Sequence, residues 1–289
     1  MLIDELQFHR FLLQTAIFTK PMKMFHREMR FFVAFVFAIT LSGPLMGQPT
    51  KGRTENDSKT ENQQVEDSEA EDPAKFAETH KAIEIRGWTL MLNRQLENDS
   101  PEATATMLEL MDVQLKRVED AVPAEALRHL KTVRIWANPP YEDVRPTAEY
   151  HPSRDYLVKK ERLPAMARCI ELTNVARFDF ECTRMPYLML HELSHAYHDQ
   201  VLGFRAANIR EAFEAAVESG GYEEVDRFDG RKIIKDEAYA MSNHKEYFAE
   251  STEAYFGRND FFPFNRQELR DHDPRMLEVL EKVWGVNAQ

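Results

Sequence analysis

The sequence predicts an α+β domain with a small mixed sheet. Strand-like runs precede the helices, without the strict alternation of a doubly wound parallel sheet. The aromatic content, 19 Phe, 9 Tyr and 3 Trp, supplies bulky filling for one core. An apolar-periodic helix over residues 187–202 carries two histidines four apart, so the α part holds the chemistry. The net charge of −12 argues against a protein that grips a nucleic-acid backbone, which needs a basic face. Two cysteines exclude a disulfide mini-scaffold and a four-cysteine zinc site.

Two apolar stretches open the chain. The first is interrupted by His9, Arg10 and Gln14. The second, residues 31–41, is a cleaner apolar run of eleven that follows Lys20, Lys23, Arg27 and Arg30 and ends near Gly43 and Gly47. A basic lead, a short apolar run and a small residue at the cut describe a secretory signal peptide over residues 1–47. The run falls short of the roughly 18–20 residues that span a bilayer. The alternative is an uncleaved anchor, because Leu45 suits the third position before the cut poorly. The basic lead is long, and a start at Met22, Met24 or Met29 shortens it to the usual form. The expected location is secreted or periplasmic, with membrane contact only if the segment stays uncleaved.

Residues 48–75 form an acidic linker. Between 51 and 72 stand eight acids against Lys51, Arg53 and Lys59, with Val65 and Ala70 as the only aliphatic side chains. Such a segment buries too little apolar surface to offset ordering entropy, so a disordered tether is expected. The folded domain is then 76–289. In an oxidising compartment Cys169 and Cys182 are either a disulfide or two buried thiols.

Within the domain, residues 83–92 alternate as a strand with a bulge at Gly87. Residues 101–121 read as a helix capped by Asp99 or Ser100, with Pro101 at its first position and a stripe of Met107, Leu108, Met111, Leu115 and Val118. A short helix spans 124–130 and a strand 133–136. The Pro-punctuated stretch 138–165 reads as loop. A strand follows at 169–175. Pro186 opens and Gly203 closes the helix 187–202. Further helices span 208–219, closed by Gly220-Gly221, and 245–256, ended by Gly257.

The sharpest motif is His191-Glu192-Leu193-Ser194-His195. Residues four apart on a helix differ by about 40° in azimuth and roughly 6 Å along the axis, so both imidazoles can reach one zinc ion. Glu192 lies beside them, where it can take a proton from water. The competing reading is a pair of surface histidines on an amphipathic helix. A catalytic zinc wants three protein ligands. The metzincin continuation fails, since His198 and Val201 occupy its glycine and histidine positions. Glu214, about twenty residues on, is the thermolysin-like candidate for third ligand. A better one lies in the stretch from Tyr239 to Glu250, YAMSNHKEYFAE.

HELSH followed about fifty residues later by YAMSNHKEYFAE resembles the catalytic domain of the anthrax lethal factor-type metallopeptidases, which are gluzincins. The likeness covers roughly residues 165–265, and no toxin biology carries over. It implies a zincin-like fold, His191, His195 and Glu246 as zinc ligands, Glu192 as general base and Tyr239 as the catalytic tyrosine. It places a second helix glutamate at Glu250. A weaker likeness, carried by AYHDQ after HELSH and by YHPS at 150–153, is to exported conidiation-specific proteins.

The residues agree with the resemblance. A carboxylate in the first turn of a helix held against the HELSH helix supplies a charged third ligand. Glu250, one turn on, is either an orienter of a ligand imidazole or a solvated helix charge. Tyr239 is either a hydrogen-bond donor to an oxyanion or a core tyrosine. His198 and Asp199 read as neighbours of the site, His151 as a structural loop histidine, and the FFPF run at 261–264 as core or cleft wall. The expected activity is zinc-dependent hydrolysis of a peptide or protein substrate, with strand 169–175 pairing an extended peptide. The alternatives are a non-catalytic zinc-containing module that binds a protein or cell-wall partner, and a hydrolase acting on a non-peptide amide.

Overall fold

A computed structural model describes residues 72–142, 144 and 147–286, all within the compact unit 65–289. The expected signal peptide and the linker up to residue 71 lie outside the described residues. Residues 72–75, assigned above to the linker, are ordered. Pro73–Phe76 forms a 3-10 turn capped by the Asp72 carboxylate, which accepts from the Ala74 N–H at 2.9 Å. No helix among the described residues is long and apolar enough to cross a membrane.

The architecture is α+β. The run expected as one bulged strand is two, β1 (His80–Ile85) and β2 (Trp88–Asn93), paired antiparallel with Ile85 opposite Trp88. Arg86 and Gly87 between them both have positive φ, 51° and 81°. That is the two-residue hairpin turn whose twist matches the strands, and glycine meets its left-handed requirement. A bulge would have kept one strand running.

The sheet continues with β3 (Ile135–Ala137), β4 (Ala148–His151) and β5 (Cys169–Leu172), in the order β1-β2-β3-β5-β4. The three inner strands run parallel and both edges are antiparallel. The stretch 138–165 is therefore not all loop. It holds β4 and a helix, α4 (Arg154–Lys159), capped by the Ser153 hydroxyl. Strand β5 is shorter than expected and ends at Leu172.

Seven of the ten α-helices among the described residues can be followed from the sheet outward. α1 (Arg94–Asp99) leads into α2 (Pro101–Ala121), whose stripe is buried at Met107, Met111, Leu115 and Val118. α5 (Phe178–Arg184) and α6 (Leu188–Tyr197) pack against it, and α3 (Ala124–Leu130) packs against α6. α7 (Ala207–Ser219) ends at Gly220 in the left-handed conformation. The α8 helix (His244–Phe256) lies against α6. A hairpin of β6 (Val225–Phe228) and β7 (Ile233–Asp236), and the helices α9 (Arg266–His272) and α10 (Pro274–Trp284), complete the chain. These last elements lay outside the sequence reading.

The main core lies between one sheet face, with Leu90, Leu92, Ile135, Ile170 and Leu172, and the helices. Trp284 of α10 stacks on Tyr197 with ring centroids 4.3 Å apart, pinning the end of α6. The opposite sheet face carries a smaller cluster with Met91, Trp136 and Cys169. Cys182 belongs to the main core. Both cysteines are free, buried thiols, so the disulfide alternative falls.

Candidate metal centre

Helix α6 is buried at nine of its ten positions, His191 and Glu192 included. The chain entering it is anchored through the Pro186 carbonyl, which accepts from Gln114 at 3.0 Å and Arg117 at 2.5 Å. After Tyr197 the helix widens into a π turn, His198–Leu202, and stops at Gly203 with φ 78°. The expected α-helix to 202 is thus cut short, and π turns recur at functional sites. Helix α8 is fixed at its start by Asn243, whose side-chain Oδ1 accepts the N–H groups of Lys245 and Glu246. That cap sets Glu246 in the first turn.

The two helices bring three donor atoms together. His191 Nε2 and His195 Nε2 are 3.2 Å apart. Glu246 Oε2 stands 3.3 Å from the first and 3.2 Å from the second. A tetrahedron with such edges has its centre about 2.0 Å from each corner, the usual zinc–nitrogen and zinc–oxygen distance. One carboxylate and two imidazoles are a donor set that suits a divalent ion. Burial would push the Glu246 carboxyl up, but the two imidazoles hold it well below the usual range.

Glu192 is buried beside this triangle, and its Oε2 accepts the backbone N–H of Tyr150 at 2.8 Å. Burial raises its carboxyl above the ordinary value, against the pull of the two histidines. Tyr239 is half exposed and lines the same cleft, which has a volume of about 1070 Å³. Burial, and then Glu246, raise its phenol, so it stays protonated and able to donate. The five residues expected to form the site thus line one cleft.

Other expectations change. Glu214 is exposed on α7 and pairs loosely with Arg210 at 3.7 Å, and it joins no donor group with the imidazoles. Glu250 is neither an imidazole's hydrogen-bond partner nor a solvated charge. It is buried, accepts from Asn259 Nδ2 at 2.9 Å, and lies 4.0 Å from His191 Nδ1. The partner of His191 Nδ1 is Glu253, at 2.8 Å and fully buried. The sequence reading missed it, although Glu246, Glu250 and Glu253 share one helix face at spacings of four and three. His191, Glu250 and Glu253 form a second donor group behind that ring.

Asp199 accepts the Tyr150 hydroxyl at 2.7 Å and does not reach the histidines' donor triangle. His151 sits in β4, not in a loop, and its Nε2 donates to the buried Glu171 at 2.8 Å. Of the FFPF run, Phe261 walls the cleft. Strand β5 lies between β3 and β4 and has no free edge to offer a peptide. The free edge beside the cleft is β4, with Ala148 and Tyr150 lining it.

No protein-family model, curated protein or solved structure matches the chain.

Proposed function

We propose that the protein is an exported zinc-dependent peptidase with a zincin-like, gluzincin-type catalytic domain of the lethal factor kind. The observation that carries this reading is the triangle of His191, His195 and Glu246, with edges of 3.2–3.3 Å suited to tetrahedral zinc. Zinc held by His191, His195 and Glu246 would supply Lewis acidity and lower the pKa of water toward about 7. Glu192, raised by burial, takes a proton from water and passes it to the leaving amine. The Tyr239 phenol donates a hydrogen bond to the oxygen that gains charge as the carbonyl is attacked. Glu253 holds the His191 ring through Nδ1 and fixes which nitrogen faces the donor triangle. The free edge of β4 offers backbone groups to an extended peptide, and Glu192 is tied to that strand through Tyr150.

The test pairs metal content with digestion of a diverse peptide library. Zinc should copurify at one equivalent. His195→Ala should lose it, because two remaining ligands hold zinc poorly. Glu192→Gln should keep zinc and lose activity by about 10²–10⁴-fold. Undiminished cleavage by Glu192→Gln refutes the mechanism. Bound zinc with no cleavage of any peptide makes the protein a binding module instead.

A further inference from the structure

A second cavity opens beside the cleft. It measures about 330 Å³ and is lined by Phe204, Arg205, Arg210, Phe213, Glu214 and His244. Phe204 is a wall of both cavities. The neighbourhood is close to the donor triangle along the chain. His244 and Lys245 precede Glu246 in the first turn of α8, and Phe204 follows the π turn that ends the HELSH helix. The volume is at the small end of ligand sites, near 300 Å³, and suits a single side chain or chain end.

The lining has a definite chemistry. Phe204 and Phe213 supply apolar walls, and His244 is fixed by its Nε2–H, which donates to the Phe204 carbonyl at 2.8 Å. The Lys245 ammonium lies over the Phe204 ring at 4.1 Å. Arg205 and Arg210 are exposed at the mouth. The acid in this lining is Glu214, held by Arg210 at the long distance of 3.7 Å. Arg205 makes no ion pair among the described residues. Positive charge therefore prevails here, in a chain of net charge −12. Elsewhere the cleft is lined by Glu149, Glu181, Asp236 and Glu237. Its other cations are already engaged, Arg184 with Asp260 and Glu181, and Arg227 with Asp236.

We propose that this cavity is a substrate subsite for a carboxylate, either an acidic side chain or the C-terminus of the peptide. The guanidinium forks match a carboxylate bidentately, and the aromatic walls take the aliphatic stem and thin the water around the ion pair. Glu149, Glu181, Asp236 and Glu237 disfavour a carboxylate along other parts of the cleft, so the subsite also biases the register of the peptide. This inference rests on the peptidase reading of the cleft.

Three labelled peptides of one neutral sequence test it on the full chain by fluorescence anisotropy. One is amidated and neutral, one is amidated with a single internal glutamate scanned along the sequence, and one is neutral with a free C-terminus. One of the two carboxylate peptides should bind roughly tenfold or more tightly than the neutral one, as charge-assisted hydrogen bonds allow. The arm that binds identifies the source of the carboxylate. The double variant Arg205→Gln/Arg210→Gln should bring that ratio to about one, and Arg205→Glu/Arg210→Glu should favour a lysine peptide instead. Equal binding of all three peptides, or a preference that survives both double variants, overturns the proposal. Carboxylate-selective binding without any cleavage keeps the subsite and removes the peptidase reading. Cleavage with no carboxylate preference does the reverse.

Discussion

Replacing Glu253 by Gln should weaken zinc binding while leaving the metal-free fold as stable as before or more so. The carboxylate accepts from His191 Nδ1 at 2.8 Å in a fully buried setting. Loss of such a partner typically lowers metal affinity by about 10–100-fold, or roughly 1.4–2.7 kcal/mol. Glutamine keeps an oxygen that can accept the same bond, but a neutral bond is about half as strong as a charge-assisted one. The expected loss is therefore near tenfold for Glu253→Gln and near a hundredfold for Glu253→Ala. Glu250, at 4.0 Å from the ring and engaged by Asn259, should matter far less.

The metal-free protein moves the other way. Burial, set against the bond to His191 and supplemented by Asp260, lifts the Glu253 carboxyl to about 7. A carboxyl raised above its unfolded value costs the fold stability as the pH rises from that unfolded value, near 4.5, through the raised one, and above about 7 the full cost is present, because the charged form is the ill-accommodated one. At pH 8 glutamine removes that burden. Chelator competition gives the zinc affinity, and thermal melts in EDTA give the metal-free stability. A Glu253→Gln protein that binds zinc as tightly as the parent refutes the orienting role. So does one weakened less than Glu250→Gln.

Two other perturbations test the frame around the site. A Cβ at Gly257 would overlap the Tyr187 ring, and Tyr187 stands at the N-cap of the HELSH helix. Gly257→Ala should therefore cost about 1–3 kcal/mol, as overpacking does, seen as a melting point lowered by roughly 2–4 °C per kcal/mol; an unchanged melting point would mean the ring moves freely. His198 is fully buried with neither ring nitrogen paired among the described residues, and burial brings its pKa down to about 3. A histidine depressed in the fold contributes stability above its unfolded value near 6.5 and loses it as the pH falls through the window toward 3. His198→Leu should then flatten the melting curve between pH 7 and 5, where this residue alone costs the parent about 2 kcal/mol, and an unaltered acid-side slope would exclude the residue as its source.

The helices were legible where a local signal closed them. Pro101 and the Met107–Met111–Leu115–Val118 stripe define α2, and Asn243 and Gly257 bracket α8. The sheet was less legible because its strands are three to six residues long, too short for alternation to speak. The pair Arg86-Gly87 held the missing information. A glycine between two apolar runs marks a bulge or a turn, and what decides is whether the preceding residue also takes positive φ. Arg86 does, at 51°, and no composition rule announces that for arginine. Strand β4 was hidden for another reason. Glu149 and His151 look like loop residues, but they meet Arg162 and Glu171 on the far side of the sheet, partners that only the fold brings near.

The same distinction separates what could be read of the site from what could not. His191, Glu192 and His195 are bound to one another by helical spacing alone, and Glu246 by its place one turn into a capped helix. The choice between Glu250 and Glu253 as partner of His191 is of another kind, because both share the helix face that meets the ring. It is decided from outside the helix. Asn259, in the loop after Gly257, donates to Glu250 Oε2, while Arg184 from α5 neutralises Asp260 behind the pair. With Glu250 tied to the loop, the ring nitrogen is left to Glu253. Asn259 is thus the residue on which this division of labour turns. Asn259→Ala should leave Glu250 free to compete for His191 Nδ1, so that Glu253→Gln made in that background weakens zinc binding less than it does alone. If the two substitutions are instead additive in a double-mutant cycle, the orienter is chosen by helix geometry and not by the loop.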